Sequence, residues 1–70
     1  RLAHEIRSLS REKIIDGVKV QIVEERPTHR ELAGLVGTSR EMVTRALREL
    51  ESAGHIVIQG KKMILHSVPM

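Results

Sequence analysis

Two rhythms of apolar residues run along this chain. Leu32, Ala33, Leu35 and Val36 crowd one side of a short helical stretch, and Val43, Ala46, Leu47, Leu50 and Ala53 recur at spacings of three and four. Both patterns have the period of an amphipathic helix. Val18, Val20 and Ile22 instead alternate with Lys19 and Gln21, as in a half-buried strand. Leu2, Ala3, Ile6 and Leu9 return to helical spacing, so residues 1 to about 12 read as a leading helix with Arg1, Glu5, Arg7 and Glu12 toward solvent. Asp16-Gly17 is a turn signal. Glu24 to Pro27 reads as a short polar linker.

The two helical runs in the middle are separate helices. Thr28 follows Pro27, and Glu31 stands three residues later, the pattern of a capping box that starts a helix at His29. Gly37 ends that helix after Val36, because glycine takes the left-handed backbone at no steric cost. Thr38 or Ser39, with Ser39 preferred, then caps a second helix running from Arg40 to about Ala53, with Gly54 closing it. Ala33 is small where the helices cross. A single continuous helix would need neither the glycine nor the second cap, so Thr28 to Ala53 reads as a helix-turn-helix.

Past Gly54, HIVIQ and KMILH are two β-rich runs separated by Gly60-Lys61. A two-residue connection with Gly first suits a type II′ hairpin. It pairs Gln59 with Lys62, Ile58 with Met63, Val57 with Ile64, Ile56 with Leu65 and His55 with His66. The strand around Val20 is expected to join as a third strand. The fold class is therefore α+β, a small winged helix-turn-helix of three helices with a small antiparallel sheet that includes the wing hairpin. It fills one domain over residues 1–70: leading helix 1–12, strand 18–23, helix-turn-helix 28–53 and wing hairpin 55–66.

Composition narrows what such a domain can do. Leu, Ile and Val contribute seven residues each and no aromatic residue exists, so the core is small and aliphatic. No cysteine is present, which removes disulfides and thiolate zinc sites and suits the cytoplasm. No apolar run approaches membrane-spanning length, and no membrane partner is expected. His55 and His66, paired across the wing, lack a third ligand nearby in sequence, so no metal site is expected and cross-strand polar pairing is the simpler account. Neither a phosphate-cradling glycine loop nor a nucleophile arrangement is present, and no enzyme is expected. A net charge of +3 is mild for a nucleic-acid binder, so the cations count by position.

Arg40, Glu41, Thr44 and Arg45 stand at i, i+1, i+4 and i+5, on one face near the start of the second helix. A helix N-terminus entering a major groove presents those positions to base edges. Arg can donate to both guanine acceptors and Glu can accept from cytosine. The plainer reading of Glu41 and Arg45 is an i,i+4 surface ion pair, worth about 0.2–0.5 kcal/mol. Lys61 and Lys62 at the wing tip suit phosphates. The competing function is a winged helix used only for protein contact. Such a face should carry apolar or aromatic anchors, and this one does not.

The run from Glu31 to Ile56, ELAGLVGTSREMVTRALRELESAGHI, resembles the C-terminal DNA-binding domain of the Crp/Fnr family of bacterial transcription regulators. DGVKVQIV before it and IQGKKMIL after it are similar to that family's strand and wing, and Arg1 to Leu9 to the helix that links sensor and DNA-binding domains. The resemblance implies double-stranded DNA as partner, with Arg40, Glu41 and Arg45 reading bases of a 5′-GTGA half-site as in the cyclic-AMP-receptor branch. It implies backbone contacts from Ser39 and from His29, which stands where the family often has Arg. Thr28, Thr44, Arg48, Lys61 and Lys62 are assigned to the DNA backbone with them. Met42 departs from the usual Thr, and Ala46 from a larger aliphatic residue. Opening on Arg1, the chain is read as a piece of a longer protein whose sensor domain lies outside it. The fragment is expected to need no cofactor and to be monomeric. The parent is expected to be a homodimer, with a cyclic nucleotide as candidate effector and RNA polymerase as candidate partner.

Overall fold

The computed structural model describes residues 1–66 of the 70. Three helices, α1 (Leu2–Leu9), α2 (His29–Val36) and α3 (Arg40–Ser52), pack on one face of an antiparallel sheet. Its strands are β1 (Arg11–Ile15), β2 (Val18–Val23), β3 (Ile56–Gln59) and β4 (Lys62–Leu65), in the order β1-β2-β4-β3. Ile6, Leu32, Ala33, Val43 and Leu47 from the helices meet Val23, Ile56, Met63 and Leu65 from the sheet in one aliphatic core.

The helix-turn-helix forms as its capping residues predict. Thr28 Oγ1 accepts from the Glu31 N–H (3.1 Å) and Glu31 Oε1 accepts from the Thr28 N–H (2.9 Å), a complete capping box. Gly37 is left-handed, at φ 80° and ψ 42°, and the Gly37 and Thr38 N–H groups both donate to the Ala33 carbonyl. Gly54 ends α3 in a Schellman motif, with His55 N–H donating to the Leu50 carbonyl and Gly54 N–H to the Glu51 carbonyl.

The wing has the expected register, from Gln59 opposite Lys62 to Ile56 opposite Leu65, and the His66 N–H donates to the His55 carbonyl one step further (2.8 Å). Gly60 takes φ 61° while Lys61 stays out of the left-handed region, as a type II′ turn requires. The strand around Val20 joins through Val23–Met63, Ile22–Ile64 and Gln21–Leu65.

The leading helix is shorter than expected, and a fourth strand replaces its end. After Leu9, Ser10 is extended, and its N–H and hydroxyl both close on the Arg7 carbonyl (3.1 and 2.6 Å). Asp16 and Gly17 are both left-handed, at φ 51° and 78°, the backbone of a type I′ hairpin turn that pairs Ile15 with Val18 and Arg11 with Ile22. Glu12 is therefore a strand residue. Three apolar positions of the helical patterns are also not core: Leu9 and Leu35 are exposed on the outer turns of α1 and α2, and Ala53 is exposed beyond the end of α3.

Strand alternation puts Val23 in the core and Ile22 on the opposite face of the sheet, beside its partner Ile64. Ile22 is still buried. The Lys13–Glu24 ion pair (3.4 Å) shares that outer face, where its exposure holds its worth to about 0–1 kcal/mol.

The capping box gives this fold a testable acid sensitivity. Hydrogen bonds from the Thr28 backbone, then from its side chain, hold the Glu31 carboxyl below its ordinary value. A lowered folded-state value means stabilisation that is full above the ordinary carboxylate range and lost as pH falls through the folded-state value. Thermal unfolding at neutral pH should show Thr28→Ala costing about 1 kcal/mol, a drop of roughly 4–8 °C for a domain of this size. Across the acid limb, Glu31→Gln should flatten part of the wild-type decline; an unchanged slope would remove Glu31 from the account.

Candidate nucleic-acid interface

Helix α3 begins at Ser39, whose hydroxyl oxygen accepts from the Met42 N–H at 3.2 Å. That bond uses a lone pair and leaves the hydroxyl proton free to donate outward. Val43 and Leu47 turn into the core, so Arg40, Glu41, Arg45 and Arg48 are exposed and Thr44 is half-buried. Glu41, Thr44, Arg45 and Arg48 line an open groove of about 650 Å³ along the helix. The Glu41–Arg45 ion pair that spacing allows is not made. Among the described residues, Arg40, Glu41, Arg45 and Arg48 make no side-chain hydrogen bond or ion pair within the chain. Their polar heads are available to a ligand.

A second cleft of about 780 Å³ lies between the start of α2, the start of α3 and the wing tip. It gathers Thr28, His29, Arg40, Thr44 and Lys61, five positions singled out from the sequence, and it adds Arg26 and Arg30. Arg26, Arg30, Arg40 and Lys61 are four cations on one concave surface, and no carboxylate lines it. Such a concave surface focuses positive potential far beyond what a net +3 suggests. Thr44 lines both clefts, so they adjoin along α3.

Sequence reasoning passed over Arg26 and Arg30. Arg26 sits in the segment read as a linker, yet its N–H donates to the Lys61 carbonyl (2.7 Å) and its Nε to the Gly60 carbonyl (2.8 Å). The available signal was an arginine two residues before the cap and another two residues after it. Ser39 and Lys62 line neither cleft. Lys62 belongs to β4, with its side chain on the outer face with Ile64, whereas Lys61 is in the turn. Met42 is half-exposed and lines a small cavity with Leu2, Val36 and Gly37, away from both clefts.

His29 and Thr44 meet across the two helices, with Nδ1 2.8 Å from Oγ1. The bond has two forms. If Nδ1 donates, the neutral ring leaves Nε2 a bare acceptor, which repels an anion. If the Thr44 hydroxyl donates, the proton sits on Nε2 and the ring presents a donor. Only the second form, or the charged imidazolium, suits phosphate.

The fold is a winged helix, and its exposed polar surface is the helix start and wing that such a fold brings together. Residues 1–69 match a family model described as the Crp-like helix-turn-helix domain. The chain belongs to that family, the DNA-binding units of bacterial transcription regulators. It is similar to the cAMP-activated global transcriptional regulator Vfr of Pseudomonas aeruginosa, with 40% identity over 50 residues. That match covers 71% of this chain and 21% of Vfr, so the chain spans about a fifth of the length of that relative.

The His29–Thr44 bond makes its own prediction. Histidine nitrogen spectra, taken where the ring is neutral, should show one dominant His29 tautomer in the wild type. Thr44→Val keeps the shape, removes the hydroxyl, costs about 1 kcal/mol of stability and releases the ring to a mixture of tautomers. A spectrum unchanged by Thr44→Val would mean the hydroxyl does not set the ring.

Proposed function

We propose that this chain binds double-stranded DNA sequence-specifically, with the start of α3 in the major groove and the basic cleft along the adjoining phosphates. The observation that supports this most is the continuity of the two clefts through Thr44: the unpaired polar heads of Arg45, Arg48 and Glu41 on α3 adjoin a cleft of four cations that no carboxylate lines. In this reading Arg40 and Arg45 each take a guanine through a two-pronged contact, and Glu41 accepts from a cytosine on the complementary strand. The half-site is 5′-GTGA. Thr28, His29, Ser39, Thr44, Arg48, Lys61 and Lys62 hold the backbone.

The protein of which this is a domain acts in the cytoplasm as a homodimer, its two copies reading half-sites about 34–36 Å apart. Vfr is named as cAMP-activated, so a cyclic nucleotide is the candidate effector of a sensor domain outside this chain, and RNA polymerase is the candidate partner. No enzymatic role is proposed. Use of the winged helix for protein contact alone is disfavoured, because the large exposed apolar residues, including Leu35, Ile14, Val18 and Met42, line neither cleft.

Two measurements separate base reading from general attraction. Arg45→Ala should cost about 1–3 kcal/mol on the preferred site and relax selection at one base pair, with a much smaller loss on random duplexes. Equal loss on every duplex would make Arg45 a backbone contact. Replacing Lys61 and Lys62 together by Ala should weaken binding to all sequences alike and lower the salt dependence by about two phosphate units. An altered sequence preference with the salt dependence intact would contradict that role.

A further inference from the structure

The central residues of a two-residue hairpin turn are outside the strand ladder, so the Gly60 and Lys61 carbonyls have no partner within the wing. Both are taken by one residue. Arg26 donates its N–H to Lys61 and its Nε to Gly60, across 34 positions of sequence for the side-chain bond. The next residue, Pro27, has a fixed φ, and Thr28 caps α2. The wing tip is thereby tied, through three consecutive residues, to the start of the helix that carries His29 and Arg30. We propose that Arg26 is a positioning residue, a strut that sets the wing against α2 so that Lys61, Arg30 and Arg40 face one phosphate run.

The strut also has an electrostatic effect. Two carbonyl oxygens at the wing tip would oppose an approaching phosphate; Arg26 takes both, the Lys61 oxygen with its backbone N–H and the Gly60 oxygen with its Nε, while its two terminal nitrogens make no hydrogen bond among the described residues. Lysine cannot reproduce this. It keeps the charge but lacks the fixed fork that holds Nε on one carbonyl. The inference rests on the DNA-binding reading for its consequence and on the protein alone for its geometry.

The test therefore has two arms. In the free 70-residue chain, amide exchange and backbone relaxation at Gly60 and Lys61 are compared for wild type, Arg26→Lys and Arg26→Gln. Both variants should make the wing tip more mobile while the core amides stay protected. In the second arm, binding to a duplex bearing the preferred half-site is titrated for Arg26→Lys, Lys61→Ala and the double variant. Arg26→Lys should lose roughly five- to tenfold in affinity with unchanged base preference, and Lys61→Ala should cost less in that background than in the wild type. Wild-type affinity in Arg26→Lys, with an additive Lys61→Ala effect, would overturn the proposal and leave Arg26 as one charge among several. Unchanged wing-tip mobility would overturn it independently of DNA. If the wild type binds no duplex, the DNA-binding reading and the strut's consequence for DNA fall together, and the first arm alone decides whether the strut exists.

Discussion

Between the last residue of α2 and the first of α3 the chain has three residues in which to change direction, Gly37, Thr38 and Ser39. Gly37 takes the left-handed backbone, and that lets two N–H groups fold back onto the Ala33 carbonyl while Ser39 is already extended as the next cap. Space is not what selects glycine here. A Cβ at this position would meet nothing closer than the Arg1 guanidinium, at 4.0 Å. The constraint is φ, worth about 1–2 kcal/mol against an alanine. With the turn in place, Leu32 and Ala33 face Val43 and Leu47, and the core can close without an aromatic side chain.

Everything at the interface inherits its position from that junction. It fixes the start of α3 beside the start of α2, which brings Thr44 to His29 and Arg40 to Arg30 around one cleft. The wing reaches the same place by another route, since β4 is held against β2 and the chain leaving β2 runs past the wing tip through Arg26. The outcome is a molecule of small net charge that gathers four cations on one concave surface. Phosphate attraction depends on such local grouping, because screening at physiological salt limits each charge to about 8 Å.

Much of this was legible in the sequence because local chemistry and long-range packing agree there. Thr28 with Glu31, Gly37, Ser39 and Gly54 each specify a helix end by their own backbone or side chain, and the Gly60-Lys61 spacing specifies the wing register. Strand β1 was hidden for a physical reason. All five of its residues are exposed, so no alternation of buried and open positions betrays it, and the helical rhythm of Leu2, Ile6 and Leu9 continues visually into it. Its Asp16-Gly17 turn was visible, but a turn signal does not say that the residues before it form a strand. Leu35 carried the helical rhythm without being core, because eight-residue α2 buries only the side toward α1 and α3. Arg26 was illegible in a deeper sense: its meaning lies in two carbonyls that only the fold brings near it.

On the proposed reading, the exposed face of α3 reads base edges while the surrounding cations supply the grip. In vitro selection from a random duplex pool, carried out with the intact protein at moderate salt, separates the two contributions. Base reading by α3 predicts enrichment of paired half-sites containing 5′-GTGA, with centres one turn of DNA apart. Retention of DNA with no sequence enriched over the starting pool would contradict base reading, because general attraction to phosphate would then account for all the binding.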